Sequence, residues 1–344
     1  MMEMKMLKKQ LFKKRINPHY NPEKAHHRPY GFENIPPTKI DWRDLLRWTQ
    51  ERRQKRLPQA PSTGYEDFIK KNMVPLHFPE KEASTFIWLG HSSIYISTPE
   101  VSIVTDPIFS HRASPLSFLG PLRKTPATSV IESMPRLDLI LISHNHYDHL
   151  DERTILELYQ KFPNLLVIVP LGLKPWFLKR GIEQVIELDW WDCEKLSFSQ
   201  APIAITAVPA QHWSKRGFLD RNASLWCGYI IQLGGKTLYF AGDTGFTPLL
   251  QEIGERFSID IGFIPIGAYE PRWFMAPQHI NPKEAVEIHQ MLNIQQSIGI
   301  HWGVFELTDE ALDEPPRYLK QSLQEANCQE SEFITLAINE SRPF

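Results

Sequence analysis

The chain has little cysteine. Its 344 residues include three, Cys193, Cys227 and Cys328, which lie far apart, form no C-x-x-C pair and are odd in number. This pattern excludes a disulfide framework and a thiolate zinc site, and it suits a reducing compartment. Long hydrophobic runs are missing too, since no stretch approaches the roughly 18 apolar residues of a membrane span. The basic N-terminus has no apolar stretch of the kind a secretory signal carries, so none is expected. Neither sign of charge dominates. With a net charge of -2, bulk electrostatics give no reason to expect a nucleic-acid partner. There is no internal repeat and no low-complexity tract. A cytoplasmic protein is expected.

What remains is ordinary globular composition, 42% hydrophobic and 23% charged, long enough for one large domain or two modest ones. Residues 1–80 read as an extension, partly irregular, ahead of a catalytic domain over 81–344. Met1 to Ile16 carries Lys5, Lys8, Lys9, Lys13, Lys14 and Arg15 among Met4, Leu7, Leu11 and Phe12. Two readings fit it, a basic amphipathic helix on an anionic membrane and a solvated terminus. Residues 17–40 are rich in Pro, His and Asn and should be irregular. His26 and His27 have no carboxylate or third His nearby in sequence and read as a surface pair. From Asp41 to Arg56, Trp42, Leu45, Leu46 and Trp48 fall at helical spacing between arginines, so a helix packing on the core is predicted.

From Ala83 the pattern becomes regular. Thr85–Leu89, Ser93–Ser97 and Val101–Thr105 read as three successive strands, close enough in sequence to pair antiparallel. Downstream, apolar strands at Leu137–Ile142, Leu165–Val169, Gln184–Leu188, Glu194–Phe198, Ile203–Val208, Cys227–Leu233, Thr237–Phe240, Ile259–Pro265, Ser297–Ile300 and Glu332–Leu336 mix with helices. The helices are read over Arg153–Phe162, Pro175–Arg180, Pro248–Phe257, Pro282–Leu292 and Pro316–Ala326. Sheets covered by helices follow from this mixture.

Four of these strands end in residues that can bind a metal. Leu137–Ile142 leads to His144, His146, Asp148 and His149, three imidazoles and a carboxylate within six residues. The others lead to His212, to Asp243 and to His301. Neutral imidazole and carboxylate are the usual ligands of a zinc-like cation. Loops at one sheet edge converge, so the seven residues divide naturally into two sites. His144, His146 and His212 make one; Asp148, His149 and His301 make the other; Asp243 bridges them. Three ligands plus a bridge leave an open position, which marks a catalytic rather than a structural site. Two divalent cations there would acidify a shared water and give a bridging hydroxide near neutral pH.

His-x-His-x-Asp-His followed by a distant His, Asp and His resembles the metallo-β-lactamase superfamily. The resemblance implies an α+β fold, an αββα sandwich of two packed mixed sheets with helices on the outer faces. A closer likeness covers most of the chain from about residue 30. Trp88–Ser92, Asp106–Pro115, Ser143–Asp151, Pro209–Trp213, Phe240–Gly245, Ile264–Met275 with Gln278-His279, and Ile300–Gly303 are similar to the N-acyl-phosphatidylethanolamine-hydrolysing phospholipase D family. That family implies two zinc ions, a phospholipid substrate, and release of an N-acylethanolamine and phosphatidic acid. The first 30 residues show no counterpart, so family membrane features are not carried onto them.

The resemblance matches His279 to a family active-site histidine, which would bind phosphate or protonate the leaving oxygen. Tyr147, between ligands, is placed to reach the phosphoryl group, and Asp148 counts as catalytic as well as ligating. His91 and Asp106 are expected to orient ligand imidazoles. Gln278, Trp213, Tyr269, Trp273 and Phe274 are expected around the ligands or the substrate. Phe218, Leu219, Trp226 and Met275 are further bulky residues in predicted loops, able to receive acyl chains or meet a bilayer. With the basic segments 1–16 and 41–56 they suggest an enzyme working peripherally at the inner membrane face, and a homo-oligomer is compatible with this. A lactonase of the same fold acting on a soluble phosphorylated sugar acid is the alternative. A non-catalytic scaffold is disfavoured by the intact ligand set.

Overall fold

Strand alternation decides which side chains face inward. In Thr85–Trp88, Phe86 and Trp88 join the central core while Ile87 joins an outer cluster. Leu139 and Leu141 face the centre and Ile140 the outside, following the period of two that a pleated strand imposes. The computed structural model describes residues 16–38, 41–79, 83–127, 129–199 and 201–344. The helix considered for Met1 to Ile16 therefore lies, up to residue 15, outside the described residues.

Two seven-stranded sheets carry the fold. The first runs, in spatial order, Ser341–Pro343, Thr85–Trp88, Ile94–Ser97, Ser102–Thr105, Leu139–Leu141, Leu166–Pro170 and Val185–Leu188. The second runs Cys193–Phe198, Ala201–Val208, Gly228–Leu233, Lys236–Phe240, Ile261–Pro265, Gln296–Ile300 and Phe333–Thr335. In each, the first three junctions are antiparallel and the last three parallel. The inner parallel strands Leu139–Leu141 and Ile261–Pro265 are buried on both faces, which is why they read as continuous apolar runs.

The inner faces pack together. Phe86 meets Phe263 edge-on at 5.1 Å between ring centres, and the Tyr229 hydroxyl donates to the Ile142 carbonyl of the opposite sheet at 2.8 Å. Helices Glu152–Lys161 and Lys174–Leu178 cover the outer face of the first sheet through Ile155, Leu158 and Phe177. Helices Pro282–Met291 and Glu314–Glu325 pack on each other beside the second sheet. The layers are helix, sheet, sheet, helix, the αββα arrangement that the resemblance implied.

The described part of the N-terminal 80 residues departs from the expectation in two places. Residues 17–38 are tied down by a short strand pair, His27–Arg28 with Gly31–Phe32, and His26 and His27 are buried rather than superficial. Their partner is the Asp189 carboxylate, 2.6 Å from His26 Nε2 and 2.9 Å from His27 Nε2. That partner is more than 160 positions away, so sequence proximity could not reveal it. Helix Trp42–Lys55 forms where expected, capped by Asp41, but buries none of its residues. Trp48 stacks on Phe274 and donates to Asp309, while Trp42, Leu45 and Leu46 face outward.

Candidate metal centre

The ligand loops leave the same edge of the two sheets. Leu139–Leu141, entirely buried, delivers the loop 143–151. Each fully buried aliphatic side chain there contributes about 1.5–3 kcal/mol, so the loop starts from a rigid base. Gly242 lets the Asp243 loop close on it: a Cβ at Gly242 would lie 2.7 Å from the Ser143 Cβ, and its φ is +60°. Positive φ also occurs at His91, Asp106 and His301. Such backbone strain in non-glycine residues concentrates where a structure fixes functional groups.

Two triads of ligand atoms result. His144 Nε2 lies 2.8 Å and His212 Nε2 3.1 Å from His146 Nδ1. In the other, Asp148 Oδ2 is 3.5 Å from His149 Nε2 and 3.6 Å from His301 Nε2, and those two nitrogens are 3.2 Å apart. Asp243 stands between. Its Oδ2 is 3.8 Å from His144, 3.6 Å from His212 and 3.1 Å from His149, and its Oδ1 is 3.1 Å from His301. All seven sequence-predicted ligands are thus brought together. Edges near 3–4 Å are those of donor atoms around a cation with bonds of about 2.0–2.2 Å.

The outward hydrogen bonds test whether these residues suit a metal. His149 Nδ1 faces Asp106 Oδ2 at 2.6 Å and His212 Nδ1 faces the Gln278 carbonyl at 2.9 Å. Ser143 Oγ donates to Asp106 and lies 2.9 Å from His144 Nδ1. These partners place the ring protons on Nδ1 and leave the Nε2 lone pairs directed into the cluster. Asp243 Oδ1 and His279 Nδ1 are buried without a hydrogen-bond partner. Buried polar atoms seldom remain so. The donor set therefore fits two divalent cations.

Electrostatics divide the histidines into two groups. Burial, reinforced by neighbouring imidazoles, lowers His146 to about 3. Burial lowers His212 to about 4, though Asp243 opposes it, and drives His144 well below its ordinary value. These three are held as the neutral ligand form. Burial also works against a charged His301 and His149, but Asp243 and Asp148 outweigh it, raising His301 to about 9 and His149 well above its ordinary value, so a cation binding there displaces a proton from each. Burial pushes the Asp243 carboxyl up, and His149 and His301 more than reverse this, leaving it well below the usual carboxylate range.

The other candidates fall in distinct places. His91 Nε2 lies 3.1 Å from Asp148 Oδ2, and its carbonyl accepts from the His301 N–H at 2.9 Å, so it touches one triad twice. His279 reaches into the centre, with Nδ1 3.9 Å from Asp243 Oδ2. Trp213 packs on His146 at 4.4 Å between ring centres. Phe274 and Met275 line a cleft of about 900 Å³ that opens over Asp148 and Asp243 and is walled opposite by Trp42, Leu45 and Trp48.

Several residues are placed elsewhere. The Tyr147 ring turns away from this cleft, beneath the Arg216 guanidinium, and its hydroxyl donates to the Arg216 carbonyl at 2.8 Å. It lines a second cleft with Trp176. Spacing places a loop residue but does not aim its side chain. Tyr269 is buried and donates to Glu314 at 2.7 Å, and Trp226 is core, donating to the Ala210 carbonyl. Trp273 is 40% exposed beneath Arg47. Phe218 and Leu219 are exposed. Sequence reasoning missed Ser143, whose place beside the histidine motif was a usable signal. It also missed Asn34, for which no signal existed.

A helix–sheet–sheet–helix sandwich with these two triads at one sheet edge defines a metal-dependent hydrolase of the metallo-β-lactamase type. Residues 102–302 match the β-lactamase superfamily domain. The chain belongs to that superfamily, and within it to the N-acyl-phosphatidylethanolamine-hydrolysing phospholipase D family. A Caenorhabditis elegans protein, N-acyl-phosphatidylethanolamine-hydrolyzing phospholipase D 1, is 40% identical over 262 residues, 74% of each chain. A mitochondrial namesake from Saccharomyces cerevisiae is 39% identical over 241 residues, 68% of this chain and 50% of that protein, so the match spans half the length of the yeast relative. Among solved structures, the metallo hydrolase Igni18 of Ignicoccus hospitalis superposes with a TM-score of 0.57 at 21% identity, over 76% of this chain and 99% of that one. At that identity the likeness concerns the fold alone.

Proposed function

We propose that this enzyme hydrolyses the phosphodiester of N-acyl-phosphatidylethanolamine, releasing N-acylethanolamine and phosphatidic acid, with two zinc-like cations. The first would be held by His144, His146 and His212, the second by Asp148, His149 and His301, and Asp243 would serve both. The observation that carries the reading is the Asp243 carboxylate between two triads at the floor of a cleft with apolar walls. The nematode and yeast relatives, named for this reaction, supply the substrate class.

Bound cations would supply Lewis acidity toward water and the phosphoryl oxygens. The chain's own residues do the rest. Asp106, Ser143 and the Gln278 carbonyl hold three imidazoles in the ligating tautomer. His279, kept neutral by burial, offers its ring N–H to a phosphoryl oxygen, and by taking the proton released from the attacking water on its other nitrogen it can then protonate the leaving alkoxide. Trp48, Phe274 and Met275 give an acyl chain an apolar wall and exclude water from the floor. No helix among the described residues is long and apolar enough to cross a membrane. Access to a bilayer lipid instead falls to the helix over the cleft, whose outward Trp42, Leu45 and Leu46 sit among Arg43, Arg47 and Arg53.

The test is incubation of the metal-loaded protein with N-acyl-phosphatidylethanolamine and identification of products by mass spectrometry. N-acylethanolamine and phosphatidic acid are expected. Turnover confined to lactones or soluble phosphodiesters would refute the lipid assignment.

A further inference from the structure

Asn34 is 4% exposed, and its side-chain amide closes a ring of two hydrogen bonds with the main chain of His212. Nδ2 donates to the His212 carbonyl at 2.8 Å, and Oδ1 accepts from the His212 N–H at 3.1 Å. An amide paired with a peptide group in this way takes the place of a neighbouring strand and fixes both the position and the tilt of that peptide. His212 needs it. It lies four residues beyond the end of strand Ala201–Val208, where ladder pairing has stopped. Its ring is fixed at one nitrogen by Gln278, but only Asn34 bonds both polar groups of its backbone.

The segment that carries Asn34 is itself anchored. Asn17 Nδ2 donates to the Gly31 carbonyl at 2.9 Å. At Gly31 the chain presses on the loop beyond His212: φ is +145°, and a Cβ there would sit 2.1 Å from the Asn222 carbonyl oxygen. The next residue, Phe32, takes a hydrogen bond pair with Asn222, donating at 2.9 Å and accepting at 3.2 Å. Thr247 donates to the Ile35 carbonyl on the far side. At its start the segment is gripped by Asp189, which accepts from Lys24, His26, His27 and the Trp190 N–H. His26, His27 and Asp189 have metal-like spacing. Their carboxylate is already saturated, and the Lys24 ammonium lies on the oxygen a cation would use, so the group is a clasp.

The arm itself lies outside the matched superfamily domain, which begins at residue 102, while the residues it grips lie inside it. We propose that residues 17–38 are a working arm of the metal centre, in which Asn34 is a positioning residue for the His212 imidazole and the Asp189 clasp keeps the arm docked. The proposal rests on His212 being a metal ligand and is independent of the lipid substrate.

The experiment follows release of metal from the full-length, zinc-loaded chain to a chromogenic chelator, in wild type, Asn34→Ala, Asp189→Asn and His212→Ala. A parallel cobalt(II)-loaded set is read by its visible ligand-field spectrum. Removing such an outer partner of a ligand weakens metal binding by about 10–100-fold. In Asn34→Ala one of the two equivalents should therefore leave faster by about that factor, the other at the wild-type rate, with a shifted cobalt spectrum. The same equivalent should be lost in His212→Ala and loosened in Asp189→Asn. Asn34→Asp, of the same shape but lacking the donor, replaces Asn34→Ala if that variant is insoluble, with the same expectation. Wild-type release of both equivalents in the Asn34 variant overturns the proposal, and so does equal acceleration of both, which would mean general loosening. Retention of both equivalents in His212→Ala overturns the ligand assignment on which the proposal rests. None of these outcomes depends on which lipid, if any, is hydrolysed.

Discussion

The Asp106 carboxylate lies 2.6 Å from His149 Nδ1 while its other contacts go to Ser143. Burial leaves this fully enclosed acid above its ordinary value, although His149 and Ser143 oppose the rise, and its charge is devoted to one imidazole. In Asp106→Asn the amide can still accept at one atom, but it no longer offers the charge that makes His149 a stronger ligand. Metal affinity is expected to fall about 10–100-fold with the fold intact. Competition with a calibrated chelator, alongside circular dichroism, measures both. Undiminished affinity would show that Asp106 serves only the backbone of the loop.

Asp243→Asn removes the charge shared by both triads while preserving shape. Activity should drop by about 10³-fold and bound metal should fall below two equivalents, with thermal unfolding of the metal-free protein little changed. Activity within about tenfold of wild type, a loss of only ~1.4 kcal/mol of transition-state stabilisation, would rule out a bridging role.

For His279 the informative comparison separates chemistry from metal binding. His279→Ala should keep its metal, since the triads are complete without it, and lose about 10²-fold or more in kcat. Loss of metal in step with activity would recast His279 as a ligand rather than a proton carrier.

The sequence was readable where local chemistry repeats and silent where the fold joins distant segments. The short buried runs Thr85–Trp88, Ile94–Ser97, Leu139–Leu141 and Ile261–Pro265 each announce a strand, because a strand's composition is set by its own residues. The seven ligands were legible because each follows such a strand. The Asp189 clasp and the Asn34–His212 pair were not, because a lone Asn or a lone His pair has no period and its partner is more than 160 positions away. The edge strand Ser341–Pro343 went unread for a related reason. It is three residues long, exposed, and defined only by pairing with Thr85–Ile87. Tyr147 shows the limit within a motif. Its position was fixed by flanking ligands, but its ring direction was decided by Arg216.

The clasp gives stability a pH dependence with a definite sign. Burial opposes ionisation of Asp189, but His26 and Lys24 outweigh it and hold the carboxyl well below its usual range. Its contribution is present above the unfolded value of about 3.9 and is lost as pH falls through the folded one. His27 is lowered, first by burial, so the unfolded chain binds that proton first and stability starts to fall below about pH 6.5. Both act on the acid side. Asp189→Ala should cost about 2–4 kcal/mol at neutral pH and flatten the part of the acid limb that lies below about pH 3.9, as removal of a buried charged acceptor does. Denaturant unfolding of the metal-free protein from pH 2.5 to 8 measures it. A parallel downward shift with unchanged slope would mean that the clasp titrates no differently in folded and unfolded chains.

Helix Trp42–Lys55 poses a different question, since it spends a Trp and two Leu on solvent. Trp42 is 66%, Leu46 58% and Leu45 47% exposed, directly over the cleft whose wall Trp42 and Leu45 also form. A helix with outward apolar groups among arginines suits the interface of an anionic bilayer, the apolar groups entering the acyl boundary and the guanidinium groups staying with the phosphates. Replacing Trp42, Leu45 and Leu46 together by Ser should lower binding to anionic vesicles by at least about tenfold, since each contributes apolar area on the order of 1–2 kcal/mol. Turnover of the same lipid in vesicles should fall with it, while turnover in detergent micelles, where substrate reaches the cleft without a bilayer, should be preserved. Co-sedimentation and product formation from both preparations decide the matter. Equal losses in vesicles and micelles would assign these residues to the cleft wall alone, and unchanged sedimentation would remove the helix from membrane contact.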